Sequence, residues 1–156
     1  MSKVVAPALR IGYRASNNRS LINSTGSLRK IIDVQGDSIM EQAVLQLIKD
    51  GTVKRHIKKA TNHYKLKRDV AAAILDKHLA DKAIYNIPEG GLAFWVVPNK
   101  PTDWLQVSDK LQHKDIKIIS PETYSFNQTV NDIRLGYGSL TGKEFEEGII
   151  ALSKLL

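Results

Sequence analysis

The sequence predicts an α+β fold in which a long helix packs on a small, mostly antiparallel sheet. Apolar residues recur at helical spacing from Val53 to Ala80, about seven turns without a proline or a glycine. Two short runs that follow, at 83–86 and 91–97, are rich in aromatic and β-branched residues and predict strands. Helices precede and follow these strands without steady βαβ alternation, so the pattern favours α+β over a doubly wound parallel sheet.

The region before the long helix predicts shorter elements separated by polar residues. Pro7 disfavours helical geometry around it, and asparagine, serine and glycine interrupt any regular period up to residue 27. Asp37 or Ser38 is expected to cap the second helix, with Glu41 placed to complete a capping box with Ser38. In chain order, the predicted elements are a strand over 10–13, a loop over 14–27 with one helical turn near Leu21, a helix over 27–34 and a helix from 38 to 51.

The region after the long helix contains the strands and two further helices. Pro88, Glu89 and Gly90 form the turn between the first two strands. Thr141 begins the last helix, and Glu144 three residues later completes a T-x-x-E capping box. The other predicted elements are a helix over 102–112, a strand over 116–119 and a strand over 132–138.

The composition is that of one compact domain. The chain has 156 residues, 42% of them apolar and 25% charged, so wholesale disorder is not expected. It has no cysteine, which excludes disulfides and thiolate metal sites. No apolar run approaches the roughly 18 residues that a membrane helix needs, and no secretion signal opens the sequence. We therefore expect a soluble, cytoplasmic protein without a membrane partner.

The net charge of +7 comes from one stretch. Between Lys54 and Arg68 there are seven lysines or arginines and no acidic residue, all on the predicted long helix. A basic helix face of this kind binds nucleic acid, meets an acidic protein surface or is simply solvated. Tyr64 falls on the apolar side of the helix and is expected in the core, not as a stacking platform for bases. A stand-alone nucleic-acid-binding module that uses residues 54–68 is therefore the alternative interpretation.

Common catalytic and metal-binding patterns do not appear in the sequence. Two of the four histidines, His56 and His63, lie two helical turns apart, too far to share one ion. Gly90 and Gly91 lack the spacing of a phosphate loop and precede a strand, which is typical of a tight turn. There is no Ser-His-Asp arrangement and no Gly-x-Ser-x-Gly motif. The sequence predicts no metal site.

Two places carry cations that an anionic ligand would fit. Lys3 and Arg10 lie on either side of the bend at Pro7, where an amine and a guanidinium converge on one phosphorylated ligand or are both solvated. Arg134 lies inside a strand pattern, with Ile133 and Leu135 on the opposite face. A cation in a strand is costly unless it faces solvent, a ligand or a partner. The residues alone leave both alternatives open at both places.

Three motifs in combination resemble one family. The run S-K-V-V-A-P-A-L-R-I-G-Y at 2–13 resembles the S-K-x-x-x-P-x-x-R-x-G-Y signature around the cofactor lysine of fold type I aminotransferases, which use pyridoxal phosphate (PLP). R-H-I-K-K at 55–59 and I-R-L-G-Y-G-S-L-T at 133–141 are similar to two later motifs of the family. More narrowly, the chain resembles the aminotransferase-like half of MocR-type transcriptional regulators in the GntR family.

The resemblance implies a role for each of three cations. Lys3 is the implied catalytic residue, which forms a Schiff base with PLP, and Arg10 is implied to grip the cofactor phosphate. Arg134 is implied to pair bidentately with the α-carboxylate of an amino-acid substrate or effector. The implied cofactor of the full-length protein is PLP. The motifs fit both an enzyme that transaminates and a regulator that senses an effector.

The resemblance also divides the chain. Residues 1–26 are expected to be a remnant of the large PLP-binding domain with a linker, and residues 27–156 to be the small C-terminal domain. In the family, the aspartate that pairs with the pyridine nitrogen and the ring that stacks on it come before the cofactor lysine. We therefore expect a C-terminal segment, an expressed fragment or a truncated reading frame, that does not transaminate alone.

The same resemblance predicts the partners. In MocR-type proteins a separate N-terminal winged helix reads DNA, so DNA binding is expected only through such a domain. Surfaces that would face the large domain are expected to be apolar and exposed, which predicts self-association.

Overall fold

The computed structural model describes residues 11–32, 37–125 and 130–156, in two compact units. The first unit reaches to Thr61 and the second runs from Asn62 to Leu156. The predicted division after residue 26 falls inside a helix and stays a prediction. In chain order the elements are α1 (Arg19–Ile32), α2 (Ser38–Lys49), α3 (Thr52–Leu79), β1 (Ala83–Tyr85), β2 (Ala93–Pro98), α4 (Trp104–Gln112), a 3₁₀ turn (Pro121–Thr123), β3 (Ile133–Gly136) and α5 (Gly142–Ser153).

Helix α1 begins eight residues earlier than the sequence predicts. The side-chain oxygen of Asn18 accepts a hydrogen bond from the backbone N–H of Leu21 at 3.1 Å, which satisfies one of the free donors at the helix start. The Thr25 hydroxyl donates to the carbonyl of Leu21 at 2.7 Å. The predicted loop over 14–27 is therefore wrong from Arg19 onward, because local capping outweighs the low helix propensity of the polar residues.

Helix α2 is capped by one of the two candidates. The Asp37 carboxylate accepts from the backbone N–H of Met40 at 2.9 Å. Glu41 pairs with Arg29 of α1 at 2.9 Å instead of completing a box with Ser38. Gly51, with a φ of 77°, provides the left-handed turn between α2 and α3.

The second unit contains a three-stranded antiparallel sheet in the order β1-β2-β3. Phe94 lies opposite Leu135, and both face the core. Trp95 lies opposite Arg134 on the other face of the sheet. The core is completed by side chains from three helices and the strands, which are Ala71, Ile74, Leu75, Leu79, Val96, Trp104, Val107, Leu111, Ile133, Phe145, Ile149 and Leu152. The α+β prediction with a small antiparallel sheet is confirmed.

The predicted strand over 116–119 is not formed. Asp115 adopts a left-handed conformation (φ 57°) after α4, and the N–H of Ile116 donates to the carbonyl of Leu111 at 3.1 Å. Ile116 and Ile118 then pack against the core without joining the sheet. Their alternation therefore reflects burial of one side of an extended segment, which the sequence pattern does not distinguish from a strand.

The other predicted elements agree with the structure to within a few residues. The predicted strand over 10–13 lies partly outside the described residues, and residues 11–13 are not in a strand. In the part of the chain that the structure describes, no helix is both long enough and apolar enough to cross a membrane.

Candidate functional site

Arg134 projects from the middle of β3 to the face of the sheet that lies away from the core. Its neighbours Ile133 and Leu135 are buried, at 0% and 8% exposure, whereas Arg134 is exposed. Among the described residues, no hydrogen bond or ion pair involves the Arg134 guanidinium. The side chain therefore offers its planar set of donors to solvent or to a ligand.

Two aromatic side chains flank this arginine. Trp95, the cross-strand partner of Arg134, is 50% exposed. Its indole meets the Tyr124 ring edge to face, with 5.7 Å between the ring centroids and an interplanar angle of 81°. An apolar wall thus lies beside a cation, an arrangement that suits a ligand with a carboxylate and an apolar part.

The Tyr124 hydroxyl also contacts the backbone of β3. It accepts a hydrogen bond from the N–H of Arg134 at 3.3 Å and lies 3.5 Å from the carbonyl oxygen of Asp132. Burial is the largest of the influences on this phenol and raises the pKa of Tyr124 above its ordinary value. The hydroxyl is therefore protonated at neutral pH.

The turn at Pro88 to Leu92 brings the start of β2 against the end of β3. The Tyr137 hydroxyl donates to the carbonyl of Gly91 at 2.7 Å, and the Tyr137 N–H donates to the carbonyl of Leu92 at 2.9 Å. Gly91 has a φ of 91°, which a side chain would strain. This geometry is that of a structural turn, as expected from its sequence.

Two cations of the basic stretch hold the same region in place. The Lys67 ammonium donates to the carbonyls of Gly138 and Leu140 at 3.0 and 2.8 Å. Arg68, whose side chain is 19% exposed, donates to the carbonyl of Pro88 at 3.2 Å and pairs with Asp69 at 2.7 Å. The prediction that Arg68 lies on a solvated outer face is wrong, since its guanidinium is bound to the turn.

The two other predicted site residues cannot be placed. Lys3 and Arg10 lie outside the described residues. Of the three predicted cations, the structure therefore places only Arg134, and the assigned role of each stays a prediction.

No group of three histidine, aspartate or glutamate side chains within the described ranges could hold a metal ion. The closest histidine–carboxylate contact there joins His78 to Glu146 at 3.1 Å, and Glu146 also pairs with Lys77 at 2.8 Å. This cluster ties α3 to α5.

Sequence reasoning missed the residues that surround Arg134. Tyr124 was assigned only to an irregular segment, and Trp95 only to a strand. Period two in β2 does place Trp95 opposite the buried Phe94, so its exposure was within reach of the pattern. The contact with Tyr124 has no such signal, because it depends on the path of the chain between α4 and β3.

Comparisons with known proteins place this geometry in a wider group. No protein family model matches the chain. The chain is 25% identical over 156 residues to the uncharacterized HTH-type transcriptional regulator YdfD of Bacillus subtilis, and this match covers 100% of the chain and 32% of YdfD. It is 24% identical to aromatic-amino-acid aminotransferase 1 of Thermococcus litoralis, covering 99% of the chain and 37% of that protein.

A solved structure gives the same result for the fold. The multiple substrate aminotransferase from Thermococcus profundus superposes with a TM-score of 0.89 at 22% identity, over 99% of this chain and 38% of that one. The chain thus spans about a third of the length of the relatives it matches. The comparisons give no support to a stand-alone nucleic-acid-binding module. In fold the chain matches the C-terminal part of PLP-dependent aminotransferases, and in sequence it is similar both to MocR-type regulators and to aminotransferases, which confirms the resemblance inferred from its motifs.

Proposed function

We propose that these 156 residues supply the carboxylate-binding side of a PLP-dependent site in an aminotransferase-like protein, the effector half of a MocR-type regulator. The observation that carries the proposal is Arg134, an exposed arginine in the centre of a strand whose guanidinium has no partner among the described residues. A guanidinium matches a carboxylate because two parallel N–H···O bonds fix the orientation of the ligand.

The ligand class follows from the surroundings of Arg134. Its carboxylate would bind the guanidinium, and its apolar part would lie against Trp95. An amino acid, as substrate or as effector, has both features.

PLP fits the chemistry of the two predicted cofactor residues. A lysine amine is the group that reacts with its aldehyde, and an arginine fork is suited to its phosphate. When bound, PLP supplies an electron sink for carbanion chemistry. We propose Lys3 and Arg10 for these two tasks, on their match to the family motif.

The wider context is part of the same proposal. The relatives are about three times as long as the matched segment, and the family's pyridine-pairing aspartate and stacking ring come before the cofactor lysine. We infer that the segment alone does not transaminate, that a separate N-terminal domain binds DNA in the full-length protein, that the protein is cytoplasmic, and that the segment self-associates.

The carboxylate proposal is tested by nuclear magnetic resonance on the ¹⁵N-labelled chain. L-leucine is titrated while the Nε–Hε signal of Arg134 is followed, and L-leucinamide, which lacks the carboxylate, is the control ligand. We expect a weak but saturable shift with L-leucine and none with the amide.

Variants of the arginine separate charge from geometry. Arg134→Gln should abolish the effect of L-leucine on neighbouring amides, and Arg134→Lys should weaken it, because lysine keeps the charge but loses the fork. Arg14→Gln, which removes an arginine of the first unit, should leave it unchanged. Equal responses to L-leucine in the Arg134→Gln and Arg14→Gln proteins would contradict the proposal.

A further inference from the structure

The free edge of β3 is occupied by a side chain instead of a fourth strand. Within the described sheet, β3 pairs only with β2, so its other edge presents backbone groups that no strand satisfies. One of these groups is the N–H of Arg134, which donates to the Tyr124 hydroxyl at 3.3 Å. The carbonyl of Asp132 lies on the same side, 3.5 Å from the same oxygen.

The Tyr124 hydroxyl therefore replaces the backbone of a neighbouring strand. A hydroxyl both accepts and donates, so a single oxygen answers an N–H and a carbonyl that are two residues apart on one strand edge. The ring of Tyr124 is held by a second contact, its edge-to-face packing on Trp95. Tyr124 is thus tied both to the backbone of Arg134 and to the side chain across the strand from it.

We propose that Tyr124 is a positioning residue for Arg134: its hydroxyl fixes the edge of β3, so that the guanidinium is held beside Trp95 and ready to receive a carboxylate. This inference rests on the proposed function for its consequence in binding, but its structural part stands on the two contacts alone. The neutral state of the phenol supports it, because burial raises the pKa of Tyr124 and keeps the proton that a donor needs.

The test compares Tyr124→Phe with the wild-type chain. Phenylalanine keeps the ring against Trp95 and removes only the hydroxyl. We expect hydrogen exchange at the Arg134 amide to accelerate by about tenfold or more relative to the amides of Ile133 and Leu135, which report on the sheet as a whole. The dissociation constant for L-leucine should rise by about fivefold, the loss of one hydrogen bond's worth of preorganisation.

Tyr85→Phe is the matched control. It also removes a hydroxyl that is hydrogen-bonded, in this case to Asp76, but from β1 at the far edge of the sheet. It should change neither the Arg134 amide nor the affinity for L-leucine.

The outcomes separate this inference from the proposed function. Uniform acceleration at Ile133, Arg134 and Leu135, or no acceleration at Arg134, would overturn the positioning role. If Arg134→Gln abolishes L-leucine binding while Tyr124→Phe leaves the affinity unchanged, the positioning role fails and the carboxylate site stands. If the wild-type chain binds no L-leucine, the carboxylate site fails, and the amide exchange still decides whether Tyr124 fixes the edge.

Discussion

The cations of this chain differ in what their side chains meet, and that difference decides which of them is available to a ligand. Lys67 and Arg68 donate to backbone carbonyls and hold the loops at the end of the sheet. Arg134 has no such partner within the described ranges. Period two in the sequence places Arg134 opposite two buried residues, and the structure confirms this. The pattern could not show that Lys67 and Arg68 are structural, because their acceptors lie 20 to 73 residues further along the chain.

Asn131 is a second residue whose importance appears only in the folded chain. Its side-chain oxygen accepts from the N–H of Thr102 at 2.9 Å, and its amide group donates to the carbonyls of Pro98 and Lys100 at 3.1 and 3.0 Å. One side chain thus joins the end of β2 to the residues that precede β3.

We predict that Asn131→Ala lowers the free energy of unfolding by about 2 kcal/mol, because three backbone groups lose their partner. The measurement is urea-induced unfolding. Asn99→Ala is the control, since the Asn99 amide makes one exposed hydrogen bond, to Asp81 at 3.0 Å, and should cost less than about 1 kcal/mol. Equal losses in the two variants would contradict the role given to Asn131.

The Tyr85 hydroxyl predicts a dependence of stability on alkaline pH. Burial and then the hydrogen bond to Asp76 raise the pKa of Tyr85 above its ordinary value of 10.0. Because the folded state binds this proton more tightly than the unfolded state, the contribution is complete below pH 10.0 and is lost as the pH rises through the higher folded value. Urea midpoints between about pH 8 and about pH 11 should therefore fall less in Tyr85→Phe than in the wild type. Parallel curves would show that this hydroxyl has no such role.

At the scale of the elements, local capping signals were reliable and period two was not. The sequence placed the start of α5 correctly, since the Thr141 and Glu144 side chains form the predicted capping box. It also gave α3 to within one residue at each end. It failed at 116–119, where an extended segment is buried on one side without a partner strand. A strand is defined by pairing with another segment, which a local pattern does not contain.

The capping box of α5 gives a prediction for one helix. Thr141→Ala should lower the free energy of unfolding by about 1 kcal/mol, because the Thr141 hydroxyl satisfies the N–H of Glu144 at 3.2 Å. Thr61→Ala, an exposed position inside α3, is the control and should change stability by no more than about 0.5 kcal/mol. Thermal or urea unfolding of the two variants measures the difference. A loss that is no larger at Thr141 than at Thr61 would mean that the box does not stabilise the helix.

At the scale of the whole molecule, the motifs predicted more than composition did. Length and charge indicated only a basic globular domain, whereas three spaced motifs indicated the C-terminal part of an aminotransferase-like fold. The structure explains why motif residues carry this information. Tyr137, Gly91 and Arg68 make the backbone contacts that join β2 to β3, so the fold depends on them directly.

The first unit leaves apolar side chains exposed, and these predict self-association. Five residues of α1 and α2 are more than half exposed: Leu28, Ile31, Ile32, Ile39 and Ile48. Sedimentation velocity should show a mass that rises with concentration, and the double variant Ile31→Glu, Ile39→Glu should shift the protein towards monomer. Ile84→Glu, an exposed position on β1 of the second unit, is the control. A wild-type chain that stays monomeric at high concentration would contradict the prediction.

The central claim is that these 156 residues hold the carboxylate side of a PLP site without the remainder of that site. The most direct measurement is to incubate the chain with PLP, reduce with borohydride and map the labelled lysines by mass spectrometry. The account predicts low labelling spread over many exposed lysines, with Lys3 not favoured over Lys143, whose side chain is 86% exposed. Selective labelling of Lys3 at high occupancy would contradict it, since that result requires a complete cofactor site within this chain.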